Sequence, residues 1–280
     1  LKAIYERGWD GYQHTAIKGV EEKDFIRILE EIALASWHGD GRTTTIKEIE
    51  NHCDNSGLKN LLCRFQDGIV TDPKTKVTSL LTAFYFRHSG YKESEKTFEF
   101  THKSFGEYLT ARRIVREVRQ IHKKLEDRRR DLDEGCDERD ALLRWTHICG
   151  PTATDEYLFN FICDEVRLHH LNNSTDTANW QQTFCELIEF GLKHGMPMER
   201  LNPRPDFQEE SRQSRNAEEA LLIVLNSIAR QTKTPSKIRW YKPDNFGTWI
   251  SRIYGQRKLF NNHTKFQYFS FLDLKSCYLN

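Results

Sequence analysis

The sequence predicts a mainly α-helical fold with a small β-hairpin in its first half. Apolar residues recur at helical spacing over most of the chain, most clearly over 23–37. Just before position 104 apolar and polar residues alternate, and after it apolar residues return to helical spacing, so a strand runs directly into a helix. Near the C-terminus, Phe269, Leu274 and Leu279 are five residues apart, which indicates a β-type repeat.

The first half of the chain has the element order of a winged helix, in which three helices precede a hairpin and a further helix. Residues 1–20 would be a helical lead-in. Asp and Gly at 39–41 are expected to end the first strong helix. The elements that follow are expected as helix 23–37, strand 43–45, helix 46–53, helix 58–65, strand 80–88 and strand 98–102, with a polar hairpin tip at 89–96.

The junction between the last of these strands and the next helix carries the sharpest local signals. Phe98, Phe100 and His102 alternate with polar residues, which is typical of a half-buried strand. Ser104 followed three residues later by Glu107 predicts a capping box at the helix start. The pattern therefore places His102 just ahead of a helix N-terminus.

The segment FEFTHKSFGEYLTA, residues 98–111, resembles the winged-helix segment of NACHT-type STAND NTPases. These are nucleotide-switched sensors that include bacterial antiphage proteins and animal inflammasome receptors. A looser similarity extends back to about residue 1. The family usually has Gln where this chain has Gly106, and Gly weakens a helix by roughly 1 kcal/mol relative to Ala. The motif residues are Phe98, Phe100, Ser104, Phe105, Glu107, Tyr108 and Leu109.

The resemblance implies that His102 reaches the phosphates of bound ADP and holds the inactive state, with Lys103 as a second candidate. It implies that the intact protein binds ADP or ATP with Mg, through an NTPase domain upstream in the same chain. It also implies a trigger of phage or host origin, self-oligomerisation on activation, and a role in antiphage defence or related signalling.

A phosphate cradle of the form G-x-x-x-x-G-K-[ST] does not occur in this sequence. The nearest glycine-rich stretch, 39–44, lacks the Gly-Lys pair and follows a helix. We therefore expect no catalytic residues, no enzyme activity and no cofactor in this chain by itself. Because the chain begins with Leu and ends within the five-residue pattern, we interpret it as part of a longer protein.

The second half predicts a charge-rich segment followed by a helical domain. Residues 112–140 are expected to be a solvated helix of mixed charge with a loop at Gly135; a phosphate-binding basic strip at 123–130 is the alternative, weakened by interleaved acidic residues. Asn216 with Glu219 predicts a helix start after a loop at 201–215. Either a bundle or a short solenoid fits the expected helices, which are 141–149, 156–168, 179–194, 217–231 and 245–254.

These patterns divide the chain into four expected segments. The five-residue spacing would place Phe269, Leu274 and Leu279 in the core of a pentapeptide-repeat β-helix that continues beyond residue 280, since stacked repeats need neighbours. An ordinary terminal strand is the alternative. The segments are the helical lead-in 1–20, the winged-helix domain 21–121, the helical domain 122–262 and the start of the repeat at 263–280.

Composition excludes several classes of protein. Mean hydropathy is −0.72 and 30% of residues are charged, and no apolar run has the length of a membrane helix, so we expect a cytoplasmic protein. The net charge of +1 makes nucleic acid an unlikely partner. Seven cysteines without CxxC spacing indicate reduced thiols, and no metal site is expected.

Two other functions fit the same patterns. One is a winged-helix nucleic-acid-binding protein with a helical dimerisation domain, which would bind DNA with a steep salt dependence. The other is a scaffold without a switch, in which His102 has only a structural role.

Overall fold

The structure is a computed structural model, and it describes residues 21–39, 43–55, 57–58, 86–92, 95–240 and 272–278. This part of the chain is mainly helical and includes a small antiparallel sheet. Internal contacts divide the chain into two compact units, Leu1–Arg113 and Ile114–Asn280. The elements are α1 (Glu22–His38), β1 (Thr43–Thr45), α2 (Ile46–Asn55), β2 (Phe86–Lys92), β3 (Glu95–Phe100), α3 (Lys103–Arg130), α4 (Glu138–Cys149), α5 (Glu156–Asn172), α6 (Ser174–His194), a 3-10 turn (Met198–Arg200), α7 (Phe207–Thr232), β4 (Ser236–Trp240) and β5 (Leu272–Tyr278).

The first unit packs α1, α2 and the start of α3 with a three-stranded antiparallel sheet of order β1-β3-β2. The predicted strand at 43–45 is confirmed, and it pairs with β3 so that Thr44 lies opposite Phe98. The helices expected at 23–37 and 46–53 are also confirmed, each slightly longer than predicted. Their apolar faces meet in one core formed by Phe25, Ile28, Leu29, Ile32, Ala33, Ala35, Ile49, Cys53, Leu58, Phe98, Phe100 and Leu109.

Both strands of the hairpin extend into the segment predicted as its polar tip. Strand β2 continues to Lys92, which is paired with Glu95 at the start of β3, so the expected tip at 89–96 is wrong over most of its length. A register shift between His88 and Gly90 accommodates the polar segment within the strand, and Gly90 takes a φ of +156° that favours glycine. The predicted strand residues 80–85 lie outside the described residues.

The long helix α3 begins one residue before the predicted cap. Ser104 is its second residue, so it does not occupy the cap position, and the predicted capping box is corrected. Glu107 is paired instead with Lys103 one turn before it, at 3.0 Å between Lys103 Nζ and Glu107 Oε1. The predicted helix is confirmed as far as Arg130, but it is solvated only in part, since Glu117 and Ile121 are fully buried. Gly135 lies in the loop after it with a φ of +71°.

Four helices of the second unit begin at a capping Asp or Asn. The side chains of Asp137, Asp155, Asn173 and Asp206 each accept a hydrogen bond from a backbone N–H in the first turn of the following helix. Helices predicted at 141–149, 156–168 and 179–194 are confirmed, and each cap extends the helix N-terminally or marks its start.

Helix α7 differs most from the prediction. It begins at Phe207 behind the cap Asp206, so residues 207–215 are helical rather than part of a loop. Asn216, predicted as a cap, lies inside α7, and its side-chain nitrogen donates to the carbonyl of Gly150 at 2.8 Å. The buried amide thus joins α7 to the end of α4.

The second unit is built around large aromatic side chains. Trp145 and Phe184 are fully buried and meet edge to face, with ring centroids 5.4 Å apart. The indole N–H of Trp145 donates to the carbonyl of Ala217 at 2.9 Å, which anchors α4 to α7. Helices α5 and α6 complete the packing around α7.

Strands β4 and β5 form a two-stranded parallel sheet. Gln181 of α6 holds the segment before β4, because its side-chain nitrogen donates to the carbonyl of Thr234 at 2.7 Å and to the hydroxyl of Ser236 at 2.8 Å. Leu274 belongs to β5, whereas Phe269 and Leu279 lie outside the described residues. The pentapeptide repeat therefore stays a prediction.

Several other expectations also lie outside the described residues. These are the lead-in at 1–20, most of the third helix at 58–65, and the helix at 245–254. The expected domain boundary at 121 falls within α3, as does the division between the two compact units, which follows Arg113.

Candidate functional site

The sequence motif forms the junction between β3 and α3. Strand β3 ends at Phe100, Thr101 and His102 form a bend, and α3 begins at Lys103. The side chains of His102 and Lys103 are exposed, and the N–H of Phe105 donates to the carbonyl of His102 at 3.0 Å. His102 thus lies immediately ahead of the helix N-terminus, as predicted. The first N–H groups of a helix have no partner within it, so an anion near His102 would find donors.

The aromatic residues of the motif anchor this junction by packing into the core of the first unit. Phe98 and Phe100 are buried in the core of the first unit, together with Leu109 of α3. Phe105 packs against the same core and meets Phe100 edge to face, with centroids 5.8 Å apart. Tyr108 is also packed against it. The apolar half of the motif is therefore structural, and residues 101–104 lie exposed above it.

The charges around the junction differ between Lys103 and the helix N-terminus beside His102. Lys103 already pairs with the largely buried carboxylate of Glu107. The first turn of α3 contains no acidic residue, so the positive end of the helix dipole is not neutralised there. The field of the helix dipole at the position of His102 is therefore favourable to an anion.

Two adjacent ion pairs link α1 to α3 below the junction. Arg112 Nε lies 3.2 Å from Glu30 Oε1, and Arg113 Nε lies 2.6 Å from Glu31 Oε1. Both glutamates are almost fully buried. We did not predict these pairs from the sequence; the available signal was a double Glu on the apolar helix 23–37 and a double Arg on the helix of the motif.

Arg112 is further positioned by an aromatic residue of the motif. Its Nη1 donates to the hydroxyl of Tyr108 at 3.2 Å, and the guanidinium lies 5.9 Å from the centre of that ring. Tyr108 thus connects the core-packed face of α3 to the ion pair with Glu30.

His52 and Cys53 of α2 also lie close to the buried charges. Burial lowers the pKa of His52, opposed by the nearby carboxylate of Glu31. Burial raises the pKa of the Cys53 thiol to about 12. Both groups are therefore neutral at physiological pH. Among the described residues, no group of three or more His, Cys, Asp and Glu side chains could hold a metal ion.

The basic strip at 123–130 is tied into the fold rather than presented to a ligand. Arg129 pairs with Glu126 on the same helix and with Glu186 of α6. The side chain of Arg128 donates to the carbonyl of Leu132 and so closes the end of α3. These contacts favour the solvated helix of mixed charge over a phosphate-binding strip.

Comparison with known proteins leaves the family open. No family model matches this chain, and no curated protein matches it either. In the part of the chain that the structure describes, every helix is too short or too polar to cross a membrane. The resemblance of residues 98–111 to NACHT-type proteins therefore stays a prediction.

Proposed function

We propose that this chain is the regulatory, sensor-coupling part of a NACHT-type STAND NTPase. In this proposal the first unit is a winged helix, and the second is a helical domain that leads into pentapeptide repeats. The observation that carries the proposal is the exposed His102 at the N-terminus of the 28-residue helix α3, above aromatic motif residues that are buried.

His102 would stabilise the inactive state through the phosphates of ADP bound by an upstream NTPase domain. A protonated ring nitrogen donates a hydrogen bond to a phosphate oxygen, and the N–H groups of the first helical turn add a favourable field. Lys103 would contribute charge from its neighbouring position. The nucleotide, ADP or ATP with Mg, belongs to the intact protein.

Helix α3 would couple the trigger to this site. Its first residues are bonded within the first unit, through Arg112 and Arg113. Its later residues are bonded within the second unit, where the fully buried Glu117 accepts from Arg144 at 2.8 Å between Nε and Oε1. A trigger of phage or host origin that strains the second unit would thus act on the helix that carries His102. Loss of the ADP contact would then allow nucleotide exchange and self-oligomerisation, in antiphage defence or related signalling.

The test compares wild type and His102→Ala in the intact protein. ADP retained through purification is measured after denaturing extraction, and oligomer size by mass photometry. We expect the variant to lose ADP and to assemble without trigger. Thr101→Ala, an exposed neighbour in the same bend, is the matched control and should behave as wild type. Unchanged ADP and mass in His102→Ala would reduce His102 to a structural residue and remove the proposed switch.

A further inference from the structure

A cleft between α5 and α7 plays no part in the proposed function. Its volume is about 380 Å³, which falls within the range of roughly 300–1,000 Å³ that is usual for ligand sites. It presents two guanidinium groups, two carboxamides, one carboxylate and one thiol. The residues that line it are Asn160, Cys163, Asp164, Arg167, Arg230 and Gln231.

Hydrogen bonds make the floor of the cleft rigid. The hydroxyl of Ser227 donates to the carbonyl of Ile223 at 2.7 Å within α7. Its oxygen is therefore available to the thiol of Cys163, whose sulfur lies 3.2 Å away on α5. Burial raises the pKa of this thiol, so the floor stays uncharged. The cleft is thus preformed by two packed helices.

Positive charge at the rim is accessible. Arg230 is exposed at the end of α7. Arg167 donates from Nη2 to Asp164 Oδ1 at 3.1 Å, and the two side chains are 56% and 58% exposed. Such an exposed pair contributes little to stability, so Arg167 can exchange Asp164 for the carboxylate of a ligand at small cost.

The same face of α5 continues into an apolar surface. Leu171 follows Arg167 by one helical turn, about 6 Å along the axis, and is 72% exposed. Leu168 beside it is 48% exposed. The opposite face of the helix is buried through Leu158 and Ile162. Apolar surface next to a cationic cleft is typical of a site that binds a peptide rather than a simple ion.

We propose that this cleft docks an acidic segment of a partner protein. A carboxylate of the segment would bind between Arg167 and Arg230, and a large apolar side chain one helical turn away would cover Leu168 and Leu171. A free phosphate would leave both leucines exposed to water. The inference does not depend on the proposed nucleotide switch.

The test is a selection from a library of random peptides displayed on yeast, with the full chain as target. We expect the enriched peptides to combine Asp or Glu with Leu, Ile or Phe three or four positions away. Their affinity is then measured by fluorescence anisotropy with synthetic labelled peptides. Arg167→Gln and Arg230→Gln should each weaken binding about tenfold or more, because each removes one charge partner of the carboxylate. Leu171→Ser should weaken it separately.

Arg204→Gln is the matched control. It removes the same charge from an exposed arginine of the same unit, which pairs with Glu210, and it should leave the affinity unchanged. Thermal melting by circular dichroism checks that each variant is folded. Enriched peptides that lack acidic residues, or that bind Arg230→Gln as well as wild type, would overturn the proposal. So would inorganic phosphate or duplex DNA binding with the same arginine dependence, since the cleft would then recognise phosphate.

Discussion

Gly106 illustrates how a single residue adapts the motif to this fold. A Cβ atom at this position would lie 2.8 Å from Cδ2 of the buried Phe100 ring. Real Cβ atoms essentially never approach a heavy atom so closely, and the ring is held by the core and by Phe105. Glycine therefore allows Phe100 to pack directly against the helix. This contact gives a physical reason for the departure from the Gln that is usual in the resembling family.

We predict that Gly106→Ala lowers stability although alanine is the better helix former. The contact with Phe100 should cost about 1–3 kcal/mol, as is usual for overpacking, and this outweighs the gain in helix propensity. Gly191, inside α6, is the matched control, because a Cβ there meets its nearest atoms at 3.8 Å, an ordinary contact. Gly191→Ala should therefore stabilise the protein by about 0.5–1 kcal/mol.

Urea denaturation followed by circular dichroism measures both free energies of unfolding. If both substitutions raised the free energy of unfolding equally, the Phe100 ring would be able to move aside at no cost, which would contradict the prediction.

Of the two ion pairs between α1 and α3, the one between Arg113 and Glu31 is buried on both sides. The side chains of Arg113 and Glu31 are only 7% and 4% exposed, so both charges have lost most of their water. One oxygen of Glu31 is buried without a hydrogen-bond partner. A buried pair is expensive to form and more expensive to break, because the remaining charge has no solvent to compensate it.

We predict that Arg113→Met destabilises the protein by about 3–5 kcal/mol, since it leaves the Glu31 carboxylate buried without its cation. The double substitution Arg113→Met with Glu31→Leu should recover most of this loss, because it removes both charges. Lys23→Met, which breaks an exposed pair with Glu21, is the control and should leave the midpoint unchanged. Chemical denaturation measures all three.

A double variant as unstable as Arg113→Met would contradict this account. It would mean that packing of the arginine stem, rather than the charge left on Glu31, dominates the loss.

Helix starts in the second unit follow a common rule. Asp206 accepts from the N–H of Glu209 at 2.9 Å, and Asp155 accepts from that of Leu158 at 2.8 Å. The sequence pattern favoured Asn216 as the start of α7 because residues 201–215 contain prolines and many polar groups. A capping side chain within that polar stretch could have indicated the earlier start.

Among the residues that the structure describes, four histidines respond to acid in the same way. Burial is the main cause that lowers the pKa of His52, His122, His147 and His169. Because their folded pKa values lie below the ordinary 6.5, the unfolded chain binds protons that the folded protein does not. Their contribution to stability is complete above pH 6.5 and is lost as the pH falls towards the folded values.

We therefore predict that the free energy of unfolding falls between about pH 7.5 and about pH 5.5. His52→Gln should reduce this fall, because it removes one buried group that must be kept neutral beside Glu31, Glu48 and Arg113. Carboxylates whose pKa is lowered in the folded protein, such as Glu48, reduce the free energy of unfolding only below their ordinary pKa of 4.5. They therefore do not contribute to the fall predicted for the histidines. Urea titrations at constant ionic strength measure the change. A free energy of unfolding that does not change with pH in this range would show that the histidine rings take up protons as readily in the folded state as in the unfolded state.

Much of the element order followed from local pattern. Helical periodicity placed α1, α2 and most of α3 to α6. Alternation predicted a strand over 98–102, whereas β3 runs from Glu95 to Phe100. These features are predictable because an amphipathic face and a capping side chain are encoded within a few neighbouring residues. The exposure of His102 was not predicted, because the alternation put it on the same face as Phe98 and Phe100, whereas β3 ends at Phe100 and His102 lies in the bend after it.

Other features arose from residues distant in sequence, so no local pattern contains them. Glu31 and Arg113 are 82 positions apart. The cleft brings Arg230 of α7 together with residues 160–167 of α5, which lie more than 60 positions earlier in the chain. The extension of β2 past Gly90 depends on its pairing with β3. Local free energies decide whether a segment is helical or extended. Which buried charges meet and which surfaces remain open is decided when the segments pack, because desolvation and pairing energies exist only once distant residues are in contact.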